Sequence, residues 1–423
     1  MSAIWHPMTQ HKIFTEMVEV ERAEGAYLFT RDGRKIIDGI SSWWLNTHGH
    51  CHPKIVEAVQ AQAAKLDQVI FAGFTHEPAE KLADKLLNIT GEKLQHVFFS
   101  DSGSTAIEIA LKMAIGYFAQ TSNPKKKIVA LEGGYHGDTF GAMSTGERNV
   151  FNKIYEPYLF DVGHIPFPEN DGAKTLAKFE EILKGGDVAA LILEPLVQGA
   201  AGMRIYTSEV LKSLADLCKR YDALLIADEV MTGFGRTGSM FACDQAGVTP
   251  DLMCLSKGIT GGFLPMGVTM TSSDIYNAFY HDDRSKQFFH STSFTGNPMA
   301  CAAANATLEI WEEEPVMERI QNIAAMHEKA AEKFRADKNV LDVRTKGTIL
   351  ALDIKDTTNG YLSNLGVTLY NYFLSHDVLL RPIGNTVYIL PPYCIKTEDL
   401  ESIYDRIHRS LDYIWNGGEQ RAA

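Results

Sequence analysis

The chain has 423 residues, of which 45% are hydrophobic, 22% charged and 10% aromatic, the balance of a globular protein long enough for more than one lobe. Its net charge of −13 argues against nucleic acid or an anionic membrane as partner, because both demand a basic face. Small metabolites remain as the expected partners.

The opening Ile4-Trp5-His6-Pro7-Met8 lacks the basic and apolar regions of a signal peptide, and no apolar run reaches the roughly 18 residues that span a bilayer. A cytoplasmic protein is expected. The cysteines (Cys51, Cys218, Cys243, Cys254, Cys301, Cys394) form no C-x-x-C pair, and several stand among apolar neighbours, as reduced buried thiols do.

Residues 18–40 read as short strands with a hairpin turn at Arg31-Asp32-Gly33-Arg34. Ser41-Ser42-Trp43-Trp44 follows, and then His48-x-His50-x-His52. Alternating imidazoles suit zinc, but His52 precedes a helix-starting proline and no second ligand set accompanies them, so no metal is expected. Over residues 53–66 the positions Ile55, Val56, Val59, Ala63 and Leu66 share one helical face behind Pro53.

Apolar runs at residues 96–99, 127–131, 189–193, 224–227 and 252–255 then alternate with helical segments, the pattern of an α/β fold with a mainly parallel sheet. The runs do not alternate in polarity, so each strand is expected to be buried on both faces. They break into Ser100-Asp101-Ser102-Gly103, Glu132-Gly133-Gly134-Tyr135-His136, Glu194-Pro195, Asp228-Glu229 and Ser256-Lys257. Ligands in such sheets bind beyond the carboxyl ends of the strands, which places these groups along one crevice. A helix is expected after Asn297-Pro298. Beyond it the pattern is α+β: a strand near 347–354, a helix near 365–375, strands at 378–381 and 386–390, and a terminal helix. The expected division is an N-terminal segment of a small domain (1–52), a large domain (53–309) and a C-terminal small domain (310–423).

Ser100 to Thr105 lies between a strand and a helix, where free N–H groups, hydroxyls and the helix dipole suit a phosphate. An ordinary Ser/Asp helix cap is the alternative, and no Gly-Lys-Ser/Thr follows to make a Walker loop. Asp228 could cap a helix, or hold a cationic ring nitrogen and keep that ring an electron sink. Lys257 could snorkel, or sit desolvated as a neutral amine able to form a Schiff base. The glycine-rich loop at 133–138 could lay Tyr135 over a flat ring or expose it in a turn. Phosphate site, acid, amine and aromatic together describe pyridoxal 5′-phosphate. Gly233-Phe234-Gly235-Arg236-Thr237-Gly238 fits the G-x-G-x-x-G of NAD-dependent oxidoreductases. However, two carboxylates precede it, no helix opens at its third glycine, and no acid-ended strand lies about 20 residues on.

Together these residues resemble the class III (ω-type) aminotransferases of the fold-type I pyridoxal phosphate enzymes, from Gly25-Ala26-Tyr27-Leu28 to Pro391-Pro392-Tyr393. The most specific stretches are Ile226-Ala227-Asp228-Glu229-Val230, the glycine motif at 233–238, Pro250-Asp251 and Ser256-Lys257-Gly258. The resemblance implies a large cofactor-binding domain with a mainly parallel, seven-stranded-type sheet and a smaller α+β domain drawn from both termini. It makes Lys257 the covalent lysine, Asp228 the partner of the ring nitrogen, Tyr135 the stacking ring, Gly103 and Ser104 phosphate ligands, and Glu194 a neighbour of the cofactor. It also implies a homodimer, in which Thr292 and Ser293 of the stretch His290-Ser291-Thr292-Ser293-Phe294 offer hydroxyls to the neighbouring subunit's phosphate.

Trp5-His6-Pro7, Trp43-Trp44, the stretch 135–144 and Arg381-Pro382-Ile383-Gly384 resemble those members that aminate 8-amino-7-oxononanoate in biotin biosynthesis, taking the amino group from S-adenosylmethionine. The resemblance puts Trp43, Trp44, Asp138, Tyr388 and Met8 around the substrate and Arg381 on its carboxylate. Users of S-adenosylmethionine usually have tyrosine where Met8 stands, and Gly261 to Met266 is similar to members that take lysine, so the donor is S-adenosylmethionine or lysine. Within the family the alternative is an ω-amino acid or amine:pyruvate transaminase.

Overall fold

In the computed structural model, which describes residues 3–14, 16–356 and 364–416, the apolar runs form the middle of one seven-stranded sheet. Its spatial order is Leu94–Ser100, Gly267–Ser272, Leu252–Leu255, Leu224–Asp228, Val188–Leu193, Lys127–Leu131, Gly163–Ile165. Every residue of Val188–Leu193 and of Leu252–Leu255 is buried, as strands covered by helices on both faces must be. Ala227 lies opposite Leu193, and Asp228 opposite Cys254. The carboxyl ends of three neighbouring strands are therefore level, and Glu194, Asp228 and Lys257 leave the sheet side by side.

Gly267–Ser272 is the exception in direction, antiparallel to both neighbours. The connection from Leu255 is too short for the crossover that a parallel return needs. This strand was not expected, because Thr269 and Thr271 break the apolar pattern, yet both are buried. The Thr269 hydroxyl donates to the Ala106 carbonyl at 2.9 Å, which removes the cost of burying it. A Cβ at Gly267 would stand 2.2 Å from the Ser102 carbonyl oxygen, so only glycine lets the strand pass beneath the helix start. The edge strand Gly163–Ile165 is too short to show in the sequence.

Helix Gly103–Ala119 packs on this sheet through Ile107, Ala110 and Leu111 against Ile226, Leu252 and Cys254. Helix Pro298–Glu313 lies against Pro53–Ala63 and Glu77–Thr90. The expected first helix ends at Ala63, short of Leu66.

Two further sheets join the ends of the chain. Lys35–Asp38 pairs in parallel with Val378–Leu379, so N-terminal strands and the C-terminal third share one sheet. Val340–Lys346, Ile349–Ile354 and Thr386–Ile389 form a three-stranded antiparallel sheet. The first of these was not expected, because exposed Leu341 and Asp342 disturb its pattern. At the expected hairpin, Gly33 (φ 88°) donates its N–H to the Thr30 carbonyl at 3.0 Å. The expected strand 378–381 stops at Leu379, and Ile383 bridges Thr386, so Arg381 stands in irregular chain free of ladder constraints. Among the described residues all six cysteines are free, and no helix is long and apolar enough to cross a membrane.

Candidate active site

Lys257 is the second residue beyond its strand and the first of a 3₁₀ turn ending at Thr260, with φ 48°. A positive φ on a non-glycine residue is costly and accumulates at functional positions. Its Nζ lies 4.7 Å from the centre of the Trp44 ring. Burial holds the amine down to about 8, against the opposing pull of the Asp228 and Glu194 carboxylates. Competitive acylation of the cofactor-free protein is expected to show Lys257 gaining reactivity through an inflection near pH 8, well below the ordinary lysine range. An inflection near pH 10 would contradict this. The same depression means that protonating Lys257 disfavours the fold, so its contribution to stability improves as the pH rises from about 8 towards 10.5.

Asp228 is buried, its Oδ1 accepting the Val230 N–H at 3.1 Å and its Oδ2 lying 2.7 Å from His136 Nδ1. Burial works against a charged imidazole, but the hydrogen bond and charge of Asp228 outweigh it, and the His136 pKa stands above its ordinary value. The other ring nitrogen, Nε2, is buried without a partner among the described residues. His136 did not emerge from the sequence as a site residue. The strands ending at Leu131 and Asp228 are separated by Val188–Leu193, and only sheet order brings their loops together.

Glu194 is buried, its Oε2 accepting the Tyr135 N–H at 3.1 Å and its Oε1 the Gly199 N–H at 2.9 Å. Burial raises its pKa to about 7. It therefore acts on the site by holding the backbone that carries Tyr135. Burial and the Asp138 carboxylate raise the Tyr135 phenol well above its usual range.

At the helix start the cap is present, and it leaves room for the anion reading. Ser102 is the cap: its Oγ accepts the Thr105 N–H at 3.2 Å, and Thr105 Oγ1 accepts the Ser102 N–H at 2.9 Å. The Gly103 and Ser104 amides are left for an anion. Ser104 Oγ accepts the Asp138 N–H at 3.2 Å, and a Cβ on Gly137 (φ 126°) would fall 1.9 Å from that oxygen. The Tyr135–Asp138 loop thus closes directly on the helix start, which sets a stacking ring at a fixed distance from an anion site.

Above these groups lies a cavity of about 880 Å³, bordered by Lys257, Tyr135, Asp138, both tryptophans and Arg381. Ser41, Ser42 and Trp44 all have positive φ (52°, 60°, 68°). Asp38 braces this turn: Oδ1 accepts the Ile40 N–H at 3.1 Å, and Oδ2 accepts the Ser42 N–H at 2.6 Å and meets His50 Nε2 at 2.9 Å. The adjacent tryptophans diverge as a result. Trp44 is buried and donates its indole N–H to the Tyr388 hydroxyl at 3.1 Å. Trp43 is 43% exposed, with the Arg381 guanidinium 5.4 Å from its ring centre.

Arg381 donates to the Met8 carbonyl at 2.9 Å and makes no ion pair among the described residues. Met8 meets Arg381 through its backbone carbonyl, and both Met8 and Pro7 border the cavity. Tyr388 borders it too. Thr292 and Ser293 do not: Thr292 Oγ1 donates to Asp101 Oδ1 at 2.9 Å, and Ser293 is exposed. The far wall, formed by Glu147, Asn149, Val150, Phe151 and Asn152, was not expected. That loop carries no motif, and only the fold brings it over Lys257.

The histidine series and the glycine motif have other work. His48 packs on Trp311 and Tyr393, His50 meets Asp38, and His52 meets Glu314 at 3.0 Å. Among the described residues no group of three or more His, Cys, Asp or Glu could hold a metal ion. The 233–238 stretch opens no helix, and its buried Arg236 donates to the carbonyls of Pro391 (2.8 Å) and Trp44 (3.3 Å), clasping the C-terminal part to the tryptophan turn.

A desolvated amine, a buried carboxylate held by an imidazole, an aromatic face and a helix start with amides left over by its cap fit pyridoxal 5′-phosphate. Lys257 would bond its aldehyde carbon, Asp228 its ring nitrogen, and Gly103 with Ser104 its phosphate, with Tyr135 over the ring.

Residues 9–411 match the family described as Aminotransferase class-III. A relative from Synechococcus elongatus named adenosylmethionine-8-amino-7-oxononanoate aminotransferase is 47% identical over 97% of this chain and 99% of its own. The crystal structure of an enzyme of that name from Methanocaldococcus jannaschii superimposes with a TM-score of 0.93 at 36% identity, covering 97% of each chain. An amine transaminase from an uncultivated Pseudomonas species, in a PLP-bound form, gives 0.91 at 31% identity, over 97% of this chain and 98% of its own. Site and likeness agree over the whole length, and the chain belongs to the class-III aminotransferases, enzymes that work with pyridoxal 5′-phosphate.

Proposed function

We propose that the chain converts 8-amino-7-oxononanoate to 7,8-diaminononanoate in biotin biosynthesis, with S-adenosylmethionine or lysine as amino donor. The observation that carries this reading is the unpaired Arg381 guanidinium beside Trp43 in the cavity over Lys257. A nonanoate ends in a carboxylate, and a guanidinium receives it through two parallel hydrogen bonds. The relatives' names support the same substrate.

The cofactor supplies an electron sink; the chain supplies the rest. Lys257 Nζ, kept partly neutral by burial, takes the proton from the donor's α-carbon and returns one to the acceptor's C7. Asp228 keeps the ring nitrogen's proton in place, and His136 keeps Asp228 oriented. Trp43 and Trp44 exclude water and present aromatic faces to a cationic donor.

Arg381→Ala is expected to raise the KM for 8-amino-7-oxononanoate about a hundredfold with kcat changed little, because it removes binding shared by ground and transition states. An unchanged KM would overturn the carboxylate assignment. Adding lysine and S-adenosylmethionine separately to the yellow holoenzyme tests the donor: the true donor discharges the colour. Turnover of simple amines with pyruvate, and none with 8-amino-7-oxononanoate, would favour an amine transaminase instead.

The enzyme acts in the cytoplasm as a homodimer that shares its two sites. Exposed Ile70, Phe74, Phe289 and Phe294 support the dimer, and Gln68 Nε2 donates to the Ser293 carbonyl at 3.3 Å, which joins the two apolar segments into one surface. A second copy covering that face would take the Thr292 and Ser293 hydroxyls to its own phosphate site.

A further inference from the structure

Two carboxylates border the cavity without belonging to the cofactor's set. Asp138 is engaged with the Tyr135 phenol. Glu147 is exposed, and among the described residues its carboxylate makes no hydrogen bond or ion pair. Its backbone is nevertheless fixed: the N–H donates to the Gly134 carbonyl at 2.9 Å, and the carbonyl accepts from Asn152 Nδ2 at 2.6 Å. The adjacent Arg148 turns away, donating to the carbonyls of Met143 (3.0 Å) and Phe160 (3.2 Å). Arg204 feels the Glu147 charge but stacks on Phe167, its guanidinium 3.7 Å from that ring's centre. Apart from the Lys257 amine and the engaged Asp138, the charged groups that border the cavity without an ion pair among the described residues are therefore Glu147 and Arg381.

Arg381 answers to a carboxylate. Glu147 answers to a positive charge remote from the reacting atoms, and both donors carry one: lysine a second ammonium, S-adenosylmethionine a sulfonium. The acceptor's ammonium is on the carbon beside its reacting ketone, so it is drawn down to Lys257 and away from the rim. Resting on the transamination proposed above, we propose that Glu147 binds the second positive centre of the amino donor and makes the enzyme select dicationic donors over neutral-tailed ones.

Steady-state kinetics of the holoenzyme and its Glu147→Gln and Glu147→Asp variants test this with lysine, S-adenosylmethionine, norleucine and methionine. For whichever cationic donor the unmodified enzyme uses, Glu147→Gln is expected to raise KM about tenfold with kcat held within about twofold. Glu147→Asp is expected to recover most of that loss. The KM for 8-amino-7-oxononanoate and the thermal midpoint stay unchanged, because the carboxylate is reserved for the donor and makes no hydrogen bond or ion pair among the described residues, Arg204 sensing it only through space. A donor KM unchanged in Glu147→Gln overturns the inference, as does equal use of norleucine and lysine, or of methionine and S-adenosylmethionine, by the unmodified enzyme. Failure of the unmodified enzyme to use either cationic donor would overturn both this and the donor reading, and it is recognised before any substitution is made.

Discussion

Lys257→Ala is expected to lower transamination by at least about a thousandfold, the combined loss of a covalent attachment and of the group that moves the proton. The fold should survive. Lys257 begins a short turn at φ 48°, and alanine bears the same backbone strain there while keeping the Cβ. Among the described residues its side chain makes no hydrogen bond or ion pair whose loss would expose a partner; it approaches the Trp44 face and feels the Asp228 and Glu194 carboxylates through space. The variant should still hold the cofactor non-covalently through the helix start at Gly103–Ser104 and through Asp228, so that its absorption is that of the free aldehyde. Parallel measurement of turnover, spectrum and thermal midpoint separates chemistry from folding. More than a tenth of the unmodified turnover would remove Lys257 from the centre of the reaction.

Asp228→Asn is the second large effect, expected to cost about a hundred- to a thousandfold in kcat, the scale of losing one preorganised charge at a reacting centre. The carboxylate receives two donors, the Val230 N–H on Oδ1 and His136 on Oδ2, and still faces the ring nitrogen. An amide has one accepting oxygen, so its NH₂ group must meet either the Val230 N–H or His136. His136 then loses the anion that lifts its pKa above the ordinary value, and burial favours the neutral ring. The neutral ring can accept the amide at Nδ1, but a charge-assisted hydrogen bond in a buried place is then exchanged for a neutral one at a cost of about 1 kcal/mol, so a lowered thermal midpoint should accompany the kinetic loss. A kcat near that of the unmodified enzyme, despite the lower midpoint, would show that Asp228 serves the fold alone.

Much of the core and its strand ends was legible along the chain. Val188–Leu193 and Leu252–Leu255 announce themselves because a strand covered on both faces has no reason to alternate. Gly267–Ser272 hid because its buried threonines satisfy their hydroxyls only through residues distant in sequence, such as Ala106. Val340–Lys346 hid because exposure at its start blurs the alternation. Arg381 was named through the resemblance, but its place beyond the end of a two-residue strand was not legible.

The positions of Lys257, Asp228, Tyr135 and the helix start at Gly103–Ser104 were legible in the sequence, because each is a local event, a short apolar run ending in a polar or glycine-rich group, whereas their roles came from their combination and from the resemblance. Pairings between distant loops were decided only in three dimensions. His136 meets Asp228 across an intervening strand, Glu194 holds the Tyr135 backbone, and Glu147 reaches the cavity on a loop without a motif. The two tryptophans are identical neighbours in sequence, yet the positive φ angles around them bury Trp44 against Tyr388 and turn Trp43 towards Arg381. Strand composition reports how deeply a segment is buried, whereas sheet order and loop path determine what stands beside it. The cofactor was therefore legible in the chain only as a combination of strand-end groups, and for the substrate residues named by resemblance the fold alone decided what each one packs against.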